Sequence, residues 1–387
     1  MASRSTIAVL PGLLTAALLA AACSDASSPT QPSSGPGAPA FARSAPPLAP
    51  ATPIALDVQN STLSENGMAI LKGFNPTNPH LGDAIVATFF WPGSTNIITS
   101  VTDHLTDFTP VGNTYTLVEY VTAGGFSMAT YVATNVQNFP DPNPTQDKVL
   151  VVQADLLSPI TGGGIIMSAY TGVNAVSAWA VGGHQSGSGS GSVRTIAAPG
   201  AITVGAGALA YGVTLADAVV GLDAPAGFSY ITNISDATFK ADARYTVQSS
   251  AGPVAPQWTW YFDSPAAPRT WLATALALNP PLHFVFTVQP STTMPLFAIT
   301  PAVKVAALDA FDNPVSSFTG SVTIGIGNNG GMLMAGRLSG TTTVTAVNGV
   351  ATFANLSIDQ LGSGYTLQVT TSGVTGAESK AFNIGAF

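Results

Sequence analysis

TTTVTAVNGVATF, Thr341–Phe353, is the stretch that decides the fold class. Two runs of Thr and Val flank Asn348-Gly349. Asn and Gly tolerate positive φ, which a two-residue type I′ turn requires and which suits the twist of paired strands. The expectation is a β-hairpin with its turn at Asn348-Gly349. Neighbouring runs read the same way. HFVFTVQP puts Phe284, Phe286 and Val288 on one face, and SVTIGI does so with Val322, Ile324 and Ile326. YTLQVT alternates Tyr365, Leu367 and Val369 with Thr366, Gln368 and Thr370. Alternation with period two marks a half-buried strand.

Further upstream, from Ile54 on, Gly (39 in the chain) and Pro (29) punctuate short Val, Ile, Thr and aromatic runs. No stretch keeps a helical period with caps. Charged residues are only 8% of the chain, against roughly 25% in an ordinary soluble protein. Low charge raises the question of membrane spans, which need about 20 apolar residues. Ile7–Ala22 is short and contains Pro11 and Gly12, and the uncharged run Leu156–Val193 is rich in Gly, Ser and Thr. Neither suits a spanning helix. HQSGSGSGS, His184–Ser192, has Gly-x-Gly spacing but no helical pattern after it, so it reads as a flexible loop, not a dinucleotide fingerprint.

Leu282–Ile384 resembles a bacterial Ig-like repeat, carried by ITPAVKVAALDAFDNPVSSFTGSVTI, LSGTTTVTAVNGVATF and YTLQVTTSGVTG. The resemblance implies an immunoglobulin-like sandwich with a spacer or adhesive role. Residues 54–281, through GDAIVATFFW, MATYVATNV, SAYTGV and YTVQSSAGPVAPQWTW, resemble a jelly-roll-type β-sandwich of extracellular multidomain proteins. The expected class is therefore all-β: a larger jelly-roll-like sandwich (54–281) followed by an Ig-like sandwich (282–387). GDAIVATFF and GAGALAYGV echo each other as equivalent strands of two facing sheets.

The amino-terminal 22 residues have the form of an export signal: Arg4, an apolar stretch from Ile7 to Leu19, then Ala20-Ala21-Ala22. Cys23, the sole cysteine, follows at once, and the junction resembles a bacterial lipoprotein lipobox with Ala20 in the position usually held by a Leu-type residue. The resemblance implies a diacylglyceryl thioether on Cys23, with outer-membrane placement favoured by Ser24. Asp25–Pro53 is Ser-, Pro- and Ala-rich, which makes 23–53 a tether.

The net charge is −8 and no basic cluster exists, which excludes a nucleic-acid footprint. One cysteine excludes an intrachain disulfide. The four histidines show no metal spacing in sequence, and several Asp sit in turn contexts such as GDAI, DPNP and FDNP. Asp103, Asp107 and Asn113, or Asp309, Asp312 and Asn313, are partial oxygen shells for Ca²⁺. Trp258, Trp260, Tyr261 and Trp271 form an aromatic stripe that could stack on sugars. Alternate large residues also suit a sandwich core, the expectation for Trp258, Trp260, Trp91 and Tyr170. Three functional readings stay open: a non-catalytic surface lipoprotein with a structural, adhesive or spacer role, in contact with polysaccharide or a cell-surface protein; a carbohydrate-binding lipoprotein; and an extracellular hydrolase.

Overall fold

The computed structural model describes residues 53–141, 148–218, 220–262 and 267–385. The residues expected to form the export signal (1–22), the expected lipidation site Cys23 and the expected tether, to residue 52, lie outside the described residues. The chain is all-β, with 58% strand and 1% helix. Its sandwiches belong to one compact unit.

The first body contains β1 (Ala55–Gly73), β2 (Ala84–Pro92), β3 (Ile98–Leu105), β4 (Thr116–Ala123), β5 (Phe126–Ala133) and β6 (Leu150–Thr171). The order is β1-β6-β2-β5-β4, with β3 pairing β6 off this path. Strands β1 and β6 are long because each serves two layers. The far half of β6 pairs β2, while its near half, Leu150–Leu156, pairs β3. The bend falls at Gly162-Gly163-Gly164. A Cβ on Gly164 would lie 2.5 Å from both the Phe90 ring and the Thr62 carbonyl, so only glycine permits the close crossing.

The second body follows a one-turn helix, α1 (Ser177–Ala180). It contains β7 (Val181–Gly191), β8 (Arg194–Ala197), β9 (Ile202–Val204), β10 (Leu209–Ala216), β11 (Gly221–Asp223), β12 (Ser229–Ser235), β13 (Lys240–Val247), β14 (Gly252–Val254), β15 (Trp258–Tyr261) and β16 (Arg269–Leu278). Its main sheet runs β7-β16-β10-β13-β12, and a three-stranded cover sheet runs β8-β15-β11. Apart from the β9-β14 pair, this repeats the strand order of the first body. The second and fifth strands of body one, β2 and β5, correspond to β10 and β13. β3 corresponds to β11, β1 to β7 plus β8, and β6 to β15 plus β16. The echo between GDAIVATFF and GAGALAYGV is the sequence trace of this duplication. The segment 54–281 thus holds two main sheets, each with its own covering layer.

The two main sheets face each other. Val86, Phe90, Met128, Ile166 and Tyr170 from one pack on Leu209, Tyr211, Val213, Leu272 and Leu276 from the other. Thr88 Oγ1 meets Tyr211 OH at 3.1 Å across the middle. The outer faces are also covered, in the first body by β3 with the bent halves of β1 and β6, and in the second by the sheets β8-β15-β11 and β9-β14. Central strands are therefore buried on both faces, and AIVATFFW and LAYGVTLA read as continuous apolar runs. That burial suits a low charge in these strands, and no helix among the described residues is long and apolar enough to cross a membrane.

HQSGSGSGS is not a loop. It forms most of β7, paired to β16 from Arg269↔Gly191 to Leu276↔His184. Its glycines serve close packing: a Cβ on Gly189 would lie 2.7 Å from the Trp271 indole.

The third body contains β17 (Leu282–Val288), β18 (Val303–Leu308), β19 (Ser321–Ile326), β20 (Leu338–Ser339), β21 (Thr343–Thr345), β22 (Val350–Phe353), β23 (Ser357–Ile358), β24 (Gly362–Tyr365), β25 (Leu367–Thr371), β26 (Val374–Glu378) and β27 (Phe382–Ile384). Its core starts at Leu282 and is separate from those upstream, with Trp179 of α1 packed against its edge. The main order is β21-β19-β25-β26-β17-β18-β22, with β17 and β26 parallel. The expected turn is present: Asn348 and Gly349 have φ of 51° and 78°. The expected hairpin is not. Only Val347 and Val350 bridge across the turn, and the arms pair with β19 and β18 at opposite ends of the sheet. The turn curls the sheet towards a barrel because its backbone is held elsewhere: Gly349 N donates to Phe318 O and its carbonyl accepts from Ala307 N.

Candidate functional site

Trp258 and Trp260 belong to β15, whose inward face covers the second main sheet. Both are 0% exposed, and Trp271 is 9% exposed. The indole N–H of Trp258 donates to Asp242 Oδ1 at 3.0 Å and that of Trp260 to Thr214 Oγ1 at 3.4 Å. These rings cannot stack on an external sugar. They fit because β10 turns its small residues outward: a Cβ on Gly212 would sit 2.8 Å from Trp258. Trp91 and Tyr170 are buried as expected.

Tyr261 alone of the stripe faces solvent, at 41% exposure. Strand pairing places Arg194 and Gly221 beside it. Its hydroxyl donates to Asp223 Oδ2, and the Arg194 guanidinium lies 5.9 Å from the ring centroid. Ile196 is exposed on the adjacent strand β8. The result is an aromatic ring on a sheet face with a cation and a carboxylate at its rim.

The Ca²⁺ candidates do not assemble. Asp103 is buried and accepts from Gly112 N, Asn113 N, Asn113 Nδ2 and Tyr115 OH at 2.7 to 3.3 Å. Asn113 offers Asp103 a donor, and its own oxygen accepts from Gln137 N. Asp107 pairs instead with Lys148, which holds its carboxyl down at about 2. Asp309 likewise accepts from Phe311 N and Asn313 N, while Asp312 faces His283 at 2.9 Å. These oxygens are committed to shaping loops.

The structure also assembles a group that sequence spacing hides. Asp57 at the start of β1 meets His80 and Asp83 of the turn before β2, with one ligand-type atom from each all within 4.8 Å of one another. His80 Nδ1 and His80 N donate to Asp57 Oδ2 at 2.9 and 3.0 Å, and His80 N also approaches Asp83 Oδ2 at 3.2 Å. His80 is exposed, whereas Asp83 is 3% exposed. Burial, then the facing Asp57 carboxyl, pushes Asp83 up to about 7. The hydrogen bond that His80 donates to Asp57 raises the pKa of His80. His184 and His283 each pair with a single carboxylate, Glu119 and Asp312. The local string HLGD gives two of the three members. Asp57 is supplied only by strand placement.

A cavity of about 430 Å³ lies where the second and third bodies meet, lined among others by Trp179, Gly182, Gly205, Asn279, Asp309 and Phe318. No family model, no curated protein and no solved structure matches the chain.

Proposed function

We propose that the chain is a non-catalytic surface lipoprotein, held at the cell envelope by lipid on Cys23, whose sandwiches have a structural, adhesive or spacer role. What carries the reading is where the carboxylates are used. Asp103 and Asp309 organise loops, and Asp236 accepts from Thr238 N and Phe239 N. Asp242 ties Arg244 and Trp258 into the second body. Carboxylates committed to backbone and core groups are those of a scaffold. The partners on this reading are the membrane and a polysaccharide or protein of another surface. Expression of the full chain beside Cys23→Ser in a bacterium with lipoprotein machinery tests it. The expected amino-terminal peptide begins at an acylated Cys23, and Cys23→Ser leaves the membrane fraction and abolishes cell adhesion. An unmodified Cys23, or adhesion indifferent to Cys23→Ser, refutes it.

A second reading, carbohydrate binding, is favoured by the Tyr261 face. An aromatic face stacks on a pyranose while Arg194 and Asp223 bond its hydroxyls. A glycan array with the wild-type chain and Tyr261→Ala tests this. No glycan bound, or binding unchanged by Tyr261→Ala, refutes it.

A further inference from the structure

The duplication supplies an internal control for the Asp57, His80 and Asp83 group. In both bodies the chain enters its central strand through the same turn. Gly82 N donates to Val136 O at 2.9 Å, and Gly207 N to Gln248 O at 2.7 Å. Val136 N returns to Asp83 O at 3.0 Å, and Gln248 N to Ala208 O at 2.9 Å. Asp83 N bonds His80 O and Ala208 N bonds Gly205 O, both at 3.2 Å. Both glycines have positive φ, 92° and 70°. His80, Gly82 and Asp83 therefore correspond to Gly205, Gly207 and Ala208. The strand beside the turn completes the match. Leu56 pairs Tyr170, the partner of Ala84 at the start of β2, and Val181 pairs Leu278, the partner of Leu209 at the start of β10. Asp57 then corresponds to Gly182.

The turn is thus built a second time with Gly182, Gly205 and Ala208, which carry no polar side chain. The fold does not need a carboxylate, an imidazole and a second carboxylate at these positions. Their presence also runs against ordinary burial. Asp83 is 3% exposed, and the side chain it faces is another carboxylate, not a lysine or arginine. Two carboxylates and an imidazole converge there, with one ligand-type atom from each within 4.8 Å of the others, and placing two carboxylates together is costly unless positive charge offsets them. The accessible imidazole of His80 completes two oxygen donors with a nitrogen donor.

We propose that Asp57, His80 and Asp83 form a divalent metal site of the Zn²⁺ class. Zn²⁺ takes carboxylate oxygen and imidazole nitrogen at about 2.0–2.2 Å, and three protein ligands leave a position open to solvent or to a further donor. Calcium prefers an all-oxygen shell of about six or more, which this group does not supply. His80 Nδ1 already lies 2.9 Å from Asp57 Oδ2, and one donor atom from each of the three residues lies within 4.8 Å of the others. The site goes beyond the scaffold role and stands or falls independently of it.

The test uses the full chain, stripped with chelator and dialysed against ZnCl₂, with metal counted by elemental mass spectrometry and thermal unfolding followed with and without zinc. The expected result is one zinc ion per chain and a raised unfolding temperature. His80→Gln, at an exposed position that does not endanger folding, lowers zinc affinity by more than the roughly tenfold that loss of an outer-shell partner costs. Asp83→Asn abolishes the zinc-dependent rise while its zinc-free circular dichroism stays native. His184→Gln, the control for a lone histidine–carboxylate pair, changes neither. Substoichiometric zinc overturns the proposal. So does zinc binding that His80→Gln leaves intact, or that His184→Gln removes.

Discussion

Replacing Asp242 by alanine should destabilise the second sandwich more than any surface change in the chain. Asp242 is fully buried on β13 and its carboxylate accepts four hydrogen bonds. They come from Asn233 Nδ2 at 2.9 Å, Arg244 Nε at 2.8 Å, Arg244 Nη2 at 2.9 Å and Trp258 Nε1 at 3.0 Å. Removing one partner of a buried ion pair costs about 3–5 kcal/mol, because the other charge is left without compensation. A buried indole N–H left unsatisfied adds about 1–3 kcal/mol. Two features reduce the total. Arg244 keeps its stacking on Tyr230, 4.8 Å from the ring centroid, and its side chain is 18% exposed and can turn towards water. The expected cost of Asp242→Ala is therefore about 4 kcal/mol. Asp242→Asn keeps an oxygen for Trp258 and should cost roughly half of that. Urea unfolding followed by tryptophan fluorescence reads the difference, with Asp242→Ala, Trp258→Phe and the double variant forming a cycle. The coupling should be about 1 kcal/mol or more for groups in direct contact. An Asp242→Ala protein within about 1 kcal/mol of wild type would refute the claim that this network holds the cover sheet in place.

Three further outcomes follow from the same structure. Gly349→Ala should cost about 1–3 kcal/mol in chemical unfolding, because φ is +78° and a Cβ there would lie 2.4 Å from Val315 O. Burial raises Asp217 above the usual carboxylate value, although Thr270 N donates to it at 2.9 Å. The folded state therefore favours its protonated form: stability is full below the unfolded value and falls as pH rises through the raised folded value. Asp217→Asn should flatten that fall in a series of unfolding temperatures against pH. Trp258→Ala should cost about 3–5 kcal/mol by leaving a cavity, whereas Tyr261→Ala should leave the unfolding midpoint almost unchanged.

Much of the architecture is legible in short-range pattern. Tyr365, Leu367 and Val369 alternate inward as written, and Asn348-Gly349 turns where its backbone freedom allows. The duplication is barely legible, because GDAIVATFF and GAGALAYGV share a hydrogen-bond pattern and burial but few residues. The burial expected of Trp258 and Trp260 is met, and LAYGVTLA and LATALAL, where large and small residues alternate, make the room for it. Small outward residues make room for large rings from a covering layer. HQSGSGSGS misleads because glycine in a strand and glycine in a loop look alike until a neighbour such as Trp271 is in place.

The sequence by itself determined strand, turn and the low-charge character of the chain, because each depends on residues within one or two strands' length. Only the tertiary structure decided which faces meet. It sends the arms of the Asn348-Gly349 turn to opposite ends of a sheet, and carries Asp57 to His80 and Asp83. The reason is physical. Strand register and layer stacking are set by burial summed over whole sheets, and no local spacing encodes which distant strand provides the partner.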